Sequence, residues 1–139
     1  MTARAFVDSN ILIYAHNADA GEKHRVAAAL LRELWESREG RLSTQVLQEF
    51  YVNVTRKIRR PLARAPAREI VRDYSVWIEE PITAVTIARA SELEEVARLS
   101  FWDSLILASA EAHRVKELVS EDLQHGQVIA GVQIRNPFA

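Results

Sequence analysis

The chain has 139 residues, 48% of them hydrophobic and 27% charged, and its 18 basic and 19 acidic side chains leave a net charge of −1. That size and apolar content fit a single globular domain over residues 1–139, burying roughly two-thirds of its unfolded surface, and they exclude disordered, collagen-like and low-complexity classes. No Cys is present, which removes disulfides, thiolate metal sites and Cys nucleophiles; no apolar run reaches membrane-helix length and no signal-peptide pattern opens the chain, so a cytoplasmic location is expected.

The apolar run Ala5-Phe6-Val7 stops abruptly at Asp8, the pattern of a short buried strand. Ile11 to Tyr14 then precede a polar, turn-like stretch from Asn17 to Gly21. From residue 22 to 38, Ala27, Leu30, Leu31 and Leu34 recur at helical spacing, with Gly40 as a stop signal. Leu42 suggests a very short strand. Ser43 or Thr44 caps a helix whose apolar stripe is Leu47, Phe50, Tyr51, Val54 and Ile58. Pro61 and Pro66 bracket a break, and Pro66 is placed to open a helix carrying Ile70, Val71, Tyr74 and Ile78. Thr83 caps a helix to about residue 99, and a further helix spans about 102–114. Leu118-Val119-Ser120 reads as a strand, and Val132 to Arg135 as a last β segment. Short strands alternating with helices imply a mainly parallel sheet with helices on both faces.

Charge is uneven along this layout. Arg56, Lys57, Arg59, Arg60, Arg64, Arg68 and Arg72 are opposed locally by Glu69 alone. The run is either a solvated face or a patch contacting phosphates.

Candidate chemistry gathers where strands end, because ligands of open parallel sheets sit outside the carboxyl ends of the strands. Asp8 closes the first strand and Asp122 follows the one at 118–120. Asp103 follows Phe101-Trp102 at a helix start, where an acid also complements the helix dipole. Glu49 is turned about 200° from Leu47 on its helix, off the apolar arc, and taken alone is a solvent-facing residue. Asp8 is the hardest to read as merely structural, since a carboxylate ending a buried strand loses hydration unless something polar or positive meets it.

Four segments in order, residues 6–12 (Phe-Val-Asp-Ser-Asn-Ile-Leu), 45–50 around Glu49, 101–106 (Phe-Trp-Asp-Ser-Leu-Ile) and 120–126 (Ser-Glu-Asp-Leu-Gln-His-Gly), resemble the PIN-domain ribonucleases. The resemblance is nearest to the VapC-type toxins of prokaryotic toxin–antitoxin pairs, and it extends to Asn136-Pro137-Phe138. It implies a three-layer α/β/α sandwich with a short-stranded, mainly parallel central sheet. It also implies an acidic site formed by Asp8, Glu49, Asp103 and Asp122 that holds divalent metal. Asn10 matches a polar position of that site, and Ser9 and Ser43 are lesser candidates. Asp122 is assigned by its place after Ser120, with Glu121 as the alternative.

Clustered carboxylates repel one another unless a cation neutralises them, and an all-oxygen site favours Mg²⁺ or Mn²⁺ over zinc. The reaction expected is endoribonuclease cleavage by metal-activated water, and the resemblance implies that it leaves a 5′ phosphate. The resemblance further implies a homodimer and a small cognate antitoxin. Trp35, Phe50, Tyr51 and Trp77 are either part of such surfaces or core residues of helix stripes, and the arginines at 56–72 are candidates for RNA phosphates or an acidic partner tail. Three other readings stand beside this one. His16, His24, His113 and His125 offer a metal-free acid–base nuclease. Asp8 alone suggests a phosphoaspartate enzyme, although Asn10 replaces the second Asp such a motif needs. A catalytically silent RNA- or protein-binding module of the same fold is the alternative from another class.

Overall fold

Ala5, Phe6 and Val7 are all buried, which an alternating, half-exposed strand would not show; this is a strand covered on both faces. In the computed structural model, which describes residues 3–139, it is β1 (Ala5–Val7), followed by α1 (Ser9–Ala15), α2 (Glu22–Ser37), β2 (Gly40–Arg41), α3 (Thr44–Arg56) and α4 (Arg64–Tyr74). The chain continues through α5 (Ala84–Ala97), α6 (Phe101–Ala112), β3 (Glu117–Val119), β4 (Val128–Ile129) and β5 (Val132–Arg135). The sheet order is β2-β1-β3-β5-β4, parallel throughout except for the β4–β5 edge pair. With helices on its faces this is the expected α/β/α arrangement. Among the described residues no helix is long and apolar enough to cross a membrane.

Local chemistry sets the helix ends. Asp8 caps α1 by accepting a hydrogen bond from the Ser9 amide at 2.7 Å, and Ser43 caps α3 through the Val46 amide. Thr83 and Thr86 form a reciprocal capping box at α5. Several boundaries differ from those read along the sequence. Arg38, in the left-handed conformation (φ 63°), ends α2, while Gly40 lies inside β2. Leu42 falls just beyond β2 and donates its amide to Trp77. Pro66 sits inside the first turn of α4 rather than at its opening, and the helix tightens into a 3₁₀ turn at Ser75–Trp77 before Ile78. The β4–β5 hairpin is additional, its turn formed by Ala130 (φ 53°) and Gly131 (φ 79°).

The core runs through Phe6, Val7, Ile11, Leu12, Leu34, Leu42, Phe50, Leu107, Leu118 and Ile134. Phe50 and Trp77 belong to it, Tyr51 is half-buried, and Trp35 is exposed while its ring leans on Tyr74 and Trp77. Trp77 explains Gly40: a Cβ there would lie 2.6 Å from the indole, which Trp35 and Tyr74 hold in place. Gly40→Ala is therefore expected to cost about 1–3 kcal/mol by overpacking, read as a lowered melting temperature.

Candidate active site at the acidic sheet edge

The parallel register of β1 and β3 pairs Val7 with Val119, so the next residues, Asp8 and Ser120, leave the sheet side by side. The buried Ser120 hydroxyl donates to Asp8 Oδ2 at 2.7 Å and accepts from the Asp122 amide at 3.1 Å. Asn10, in the first turn of α1, ties the two strand ends together. Its amide nitrogen donates to Asp122 Oδ2 at 3.0 Å and more weakly to Asp8 Oδ2 at 3.4 Å, and its oxygen accepts from the Glu121 amide at 3.1 Å. Ser9, Asn10 and Ser120 thus build the scaffold on which two carboxylates stand. Ser120 is the functional residue that sequence reasoning passed over; a hydroxyl in register with a strand-ending Asp was the available signal.

Two further acids reach the same edge from helices. Glu49 on α3 is half-buried, because α1 packs against α3 and brings the Ser9 hydroxyl to it. Asp103 lies in the first turn of α6, whose cap Ser100 accepts from the Asp103 amide at 3.1 Å. Gln45, one turn before Glu49, donates to the Trp102 carbonyl at 3.1 Å and so ties α3 to the start of α6.

The electrostatics mark these acids as a mutually repelling group. Burial pushes the Asp8 carboxyl up to about 6; hydrogen bonds from Ser120 and the Ser9 amide hold it back, and the charges of Glu49 and Asp122 add to the rise. Glu49 is raised by burial, then by Asp103 and Asp122, against the pull of Ser9. Burial also raises Asp103, with Asp122 adding to it against Ser100. None of the four acids is in an ion pair with a basic side chain among the described residues.

Glu121 behaves differently. It accepts from the Tyr14 hydroxyl at 2.7 Å and pairs with Lys23, whose ammonium also lies over the rings of Tyr14 and Phe138. Burial raises its carboxyl, but Lys23 and Tyr14 outweigh that and leave it below the usual range. Of the two adjacent acids, Asp122 faces the cluster and Glu121 is turned into a separate clasp.

The remaining candidates lie elsewhere. Ser43 is fully buried as the α3 cap. His113 is buried at the end of α6, donating from Nδ1 to the Ser109 carbonyl and accepting the Glu79 and Glu80 amides at Nε2. His16 meets Tyr74, His24 the Tyr14 carbonyl, and His125 the Asn136 amide. Among the described residues none of the four histidines is in hydrogen-bond contact with Asp8, Glu49, Asp103 or Asp122. In the basic run, Arg60 is paired with Asp19 and Arg72 with Glu69, while Arg56 lies over the Tyr51 ring.

Oxygen donors from four elements, with no neighbouring cation, are the donor chemistry of a hard divalent ion such as Mg²⁺ or Mn²⁺. Among the described residues no three acids or imidazoles are grouped as a ready-made metal cage. Clefts of about 380 Å³ beside Trp35, Arg41 and Trp77, and about 360 Å³ beside Leu47, Tyr51 and Val71, are lined by none of the four acids.

Comparison with known proteins agrees with this fold. A family model described as PIN domain matches residues 5–129. A toxin–antitoxin complex from Klebsiella pneumoniae contains a chain 25% identical, covering 96% of this chain and 97% of that one, with a TM-score of 0.68. VapC20 of Mycobacterium tuberculosis, described as a sarcin–ricin loop cleaving toxin, is 20% identical over 82% of this chain and 86% of its own, with a TM-score of 0.58. VapBC2 from Rickettsia felis, bound to a promoter DNA fragment, gives 18% identity, 95% and 97% coverage and a TM-score of 0.61. No curated protein sequence gives a match.

Proposed function

This chain belongs to the PIN-domain family, and from that premise we propose that residues 1–139 act as one nuclease domain, a divalent-metal-dependent endoribonuclease forming the toxin half of a toxin–antitoxin pair. The observation that carries the reading is the gathering of Asp8, Glu49, Asp103 and Asp122 at one sheet edge without any basic counterpart. The toxin role draws support from the resemblance to a toxin–antitoxin complex over nearly the whole chain.

Mg²⁺ or Mn²⁺ bound there supplies an acidified water and a sink for charge developing on the phosphodiester. The chain's own residues do the rest. Asp8, Glu49, Asp103 and Asp122 supply the oxygen donors, and Asn10 and Ser120 hold Asp8 and Asp122 in fixed relation by hydrogen bonds. Their negative charge turns RNA away in the metal-free state, so binding and cutting both depend on the cation. Basic residues that follow Glu49's helix, among them Lys57, Arg59 and Arg64, are exposed and suited to phosphates flanking the cut. A homodimer, a cognate antitoxin and a cytoplasmic setting complete the proposal.

Purified, partner-free protein is expected to cut RNA in Mg²⁺ or Mn²⁺ and to stop in EDTA, leaving 5′-phosphate ends detectable by mass spectrometry. Products with 2′,3′-cyclic phosphate ends that persist in EDTA would overturn the reading. Within the site, Asp122→Asn is expected to lower the rate by ~10²-fold or more, whereas Glu121→Gln, which loosens only the clasp with Lys23 and Tyr14, changes it by less than about 10-fold. Initial-rate assays on the two variants check that division.

A further inference from the structure

Among the described residues Trp102, next to Asp103 in the chain, is the large aromatic side chain that the fold leaves most exposed, at 64%. Its neighbours in sequence go the other way: Phe101 packs against the core, and from Ser104 to Ala110 every residue is buried. The backbone beneath the indole is held firmly. Gln45, itself 5% exposed, donates to the Trp102 carbonyl at 3.1 Å, Ser100 caps the helix, and the Phe101 ring stands edge-on to the indole at 5.2 Å and 78°. Trp102 is thus fixed relative to two acids, Asp103 as its chain neighbour and Glu49 one turn along from Gln45 on α3.

We infer that Trp102 is a stacking platform for one base of the RNA, adjacent to the phosphodiester that the acids address. The inference rests on the proposed nuclease reading and deepens it by naming the substrate class: unpaired RNA. Four carboxylates attract a nucleic acid only through a cation, so a contact that carries no charge adds affinity there. A base laid on an indole supplies it, at ~1–3 kcal/mol per base and with little regard to base identity. An indole standing on a convex helix start meets a base only when that base is unstacked from its neighbours, which a loop or single strand allows and a duplex does not. Trp102 is accordingly a positioning residue: it sets which strand lies across the edge and where, while the acids act on the phosphate.

The test uses a 12-nucleotide single-stranded RNA and the duplex of the same sequence. Binding is followed by tryptophan fluorescence in Mg²⁺ on the unaltered chain within seconds of mixing, before cut strands accumulate. Cleavage is followed separately on the otherwise unaltered chain. Single-stranded RNA is expected to quench the emission, and the quench to disappear in Trp102→Phe but persist in Trp35→Phe. Trp102→Ala is expected to weaken single-strand binding by roughly 5- to 150-fold and to raise KM with kcat largely kept, with Trp102→Phe restoring most of the affinity. The duplex is expected to bind weakly and to ignore the substitution. Unchanged binding and KM in Trp102→Ala would overturn the inference while leaving the nuclease reading intact. So would a change of oligomeric state in Trp102→Ala, which would mean that the indole, together with the exposed Val96 of α5, covers a second copy of the chain. Trp102-dependent binding without cleavage in any metal would keep the platform and remove the nuclease.

Discussion

Asp8→Asn and Asp103→Asn are each expected to reduce metal-dependent RNA cleavage by at least ~10³-fold while leaving the chain folded. Asn has nearly the size of Asp and remains a good helix cap, so at position 8 it can still meet the Ser9 amide and the Ser120 hydroxyl that now contact the carboxylate at 2.7 Å. What disappears is one negative charge and one oxygen donor for a hard cation, which an amide replaces poorly. At position 103 the Ser100 cap survives, and the lost charge at the start of α6 costs only about 0.3–1 kcal/mol of helix-dipole stabilisation. Rate assays in Mg²⁺ and Mn²⁺, with circular dichroism on the same samples, separate loss of chemistry from loss of fold. Folded variants that cut at the parental rate would remove these acids from the mechanism.

The second large effect is on stability, and its sign follows from Asp8. Its carboxyl titrates near about 6 in the folded chain against an ordinary 3.8, so the folded state holds this proton more tightly than the unfolded state does. The stabilisation is fully present below the unfolded value and is lost as pH rises through about 6, leaving the ionised, metal-free protein less stable by on the order of 3 kcal/mol from this group. Glu49 and Asp103, also raised, act in the same direction. Metal-free protein is therefore expected to gain in melting temperature relative to Asp8→Asn as pH is lowered from 7.5 to 5, the variant lacking this titration. Adding Mg²⁺ or Mn²⁺ at pH 7.5 is expected to recover the lost stability in the parent and much less in Asp8→Asn, because a ligand that binds only the folded state stabilises it by mass action. Thermal melts across pH, with and without metal, check both halves. A pH-independent gap between parent and variant would contradict the burial of an ionised Asp8.

Asp8 and Asp122 were legible because strand ends can be read from where apolar runs stop, and a parallel sheet delivers its strand ends to one edge. Asp103 was legible through its place at a helix start. Glu49 was not, on its own residues. The helical wheel places it off the apolar stripe of α3, which describes its relation to the sheet but omits α1, the short helix that packs alongside and brings Ser9 to it. Hairpin β4–β5 escaped notice for a different reason: β4 is two residues long, and its Ala130-Gly131 turn lacks the Asn-Gly signal.

The basic run illustrates the same limit. In sequence it is an almost uniform positive stretch. In the fold it divides into arginines already engaged, such as Arg60 with Asp19, and cations left facing solvent. A pairing between residues 41 positions apart is set by how α1 and α3, the helices that precede them, pack together, which no local window contains.

By itself the sequence determined the α/β class, the order of helices α2 to α6 and of strands β1, β3 and β5, the absence of Cys chemistry and, through the ordered resemblance of four segments, a candidate set of acids. All but the acids follow from local periodicity, capping and composition, which are properties of neighbours along the chain; the acids follow from the resemblance. The tertiary structure alone decided which of two adjacent carboxylates faces the cluster, because Lys23 of α2 and Tyr14 of α1 capture Glu121 and leave Asp122 to Asn10. It alone showed Ser120 joining Asp8, and Trp102 standing exposed beside Asp103. Side chains so far apart in sequence meet only when parallel strands bring separate segments to one edge, and at that edge distance and burial, rather than residue type, determine how carboxylates bear on one another.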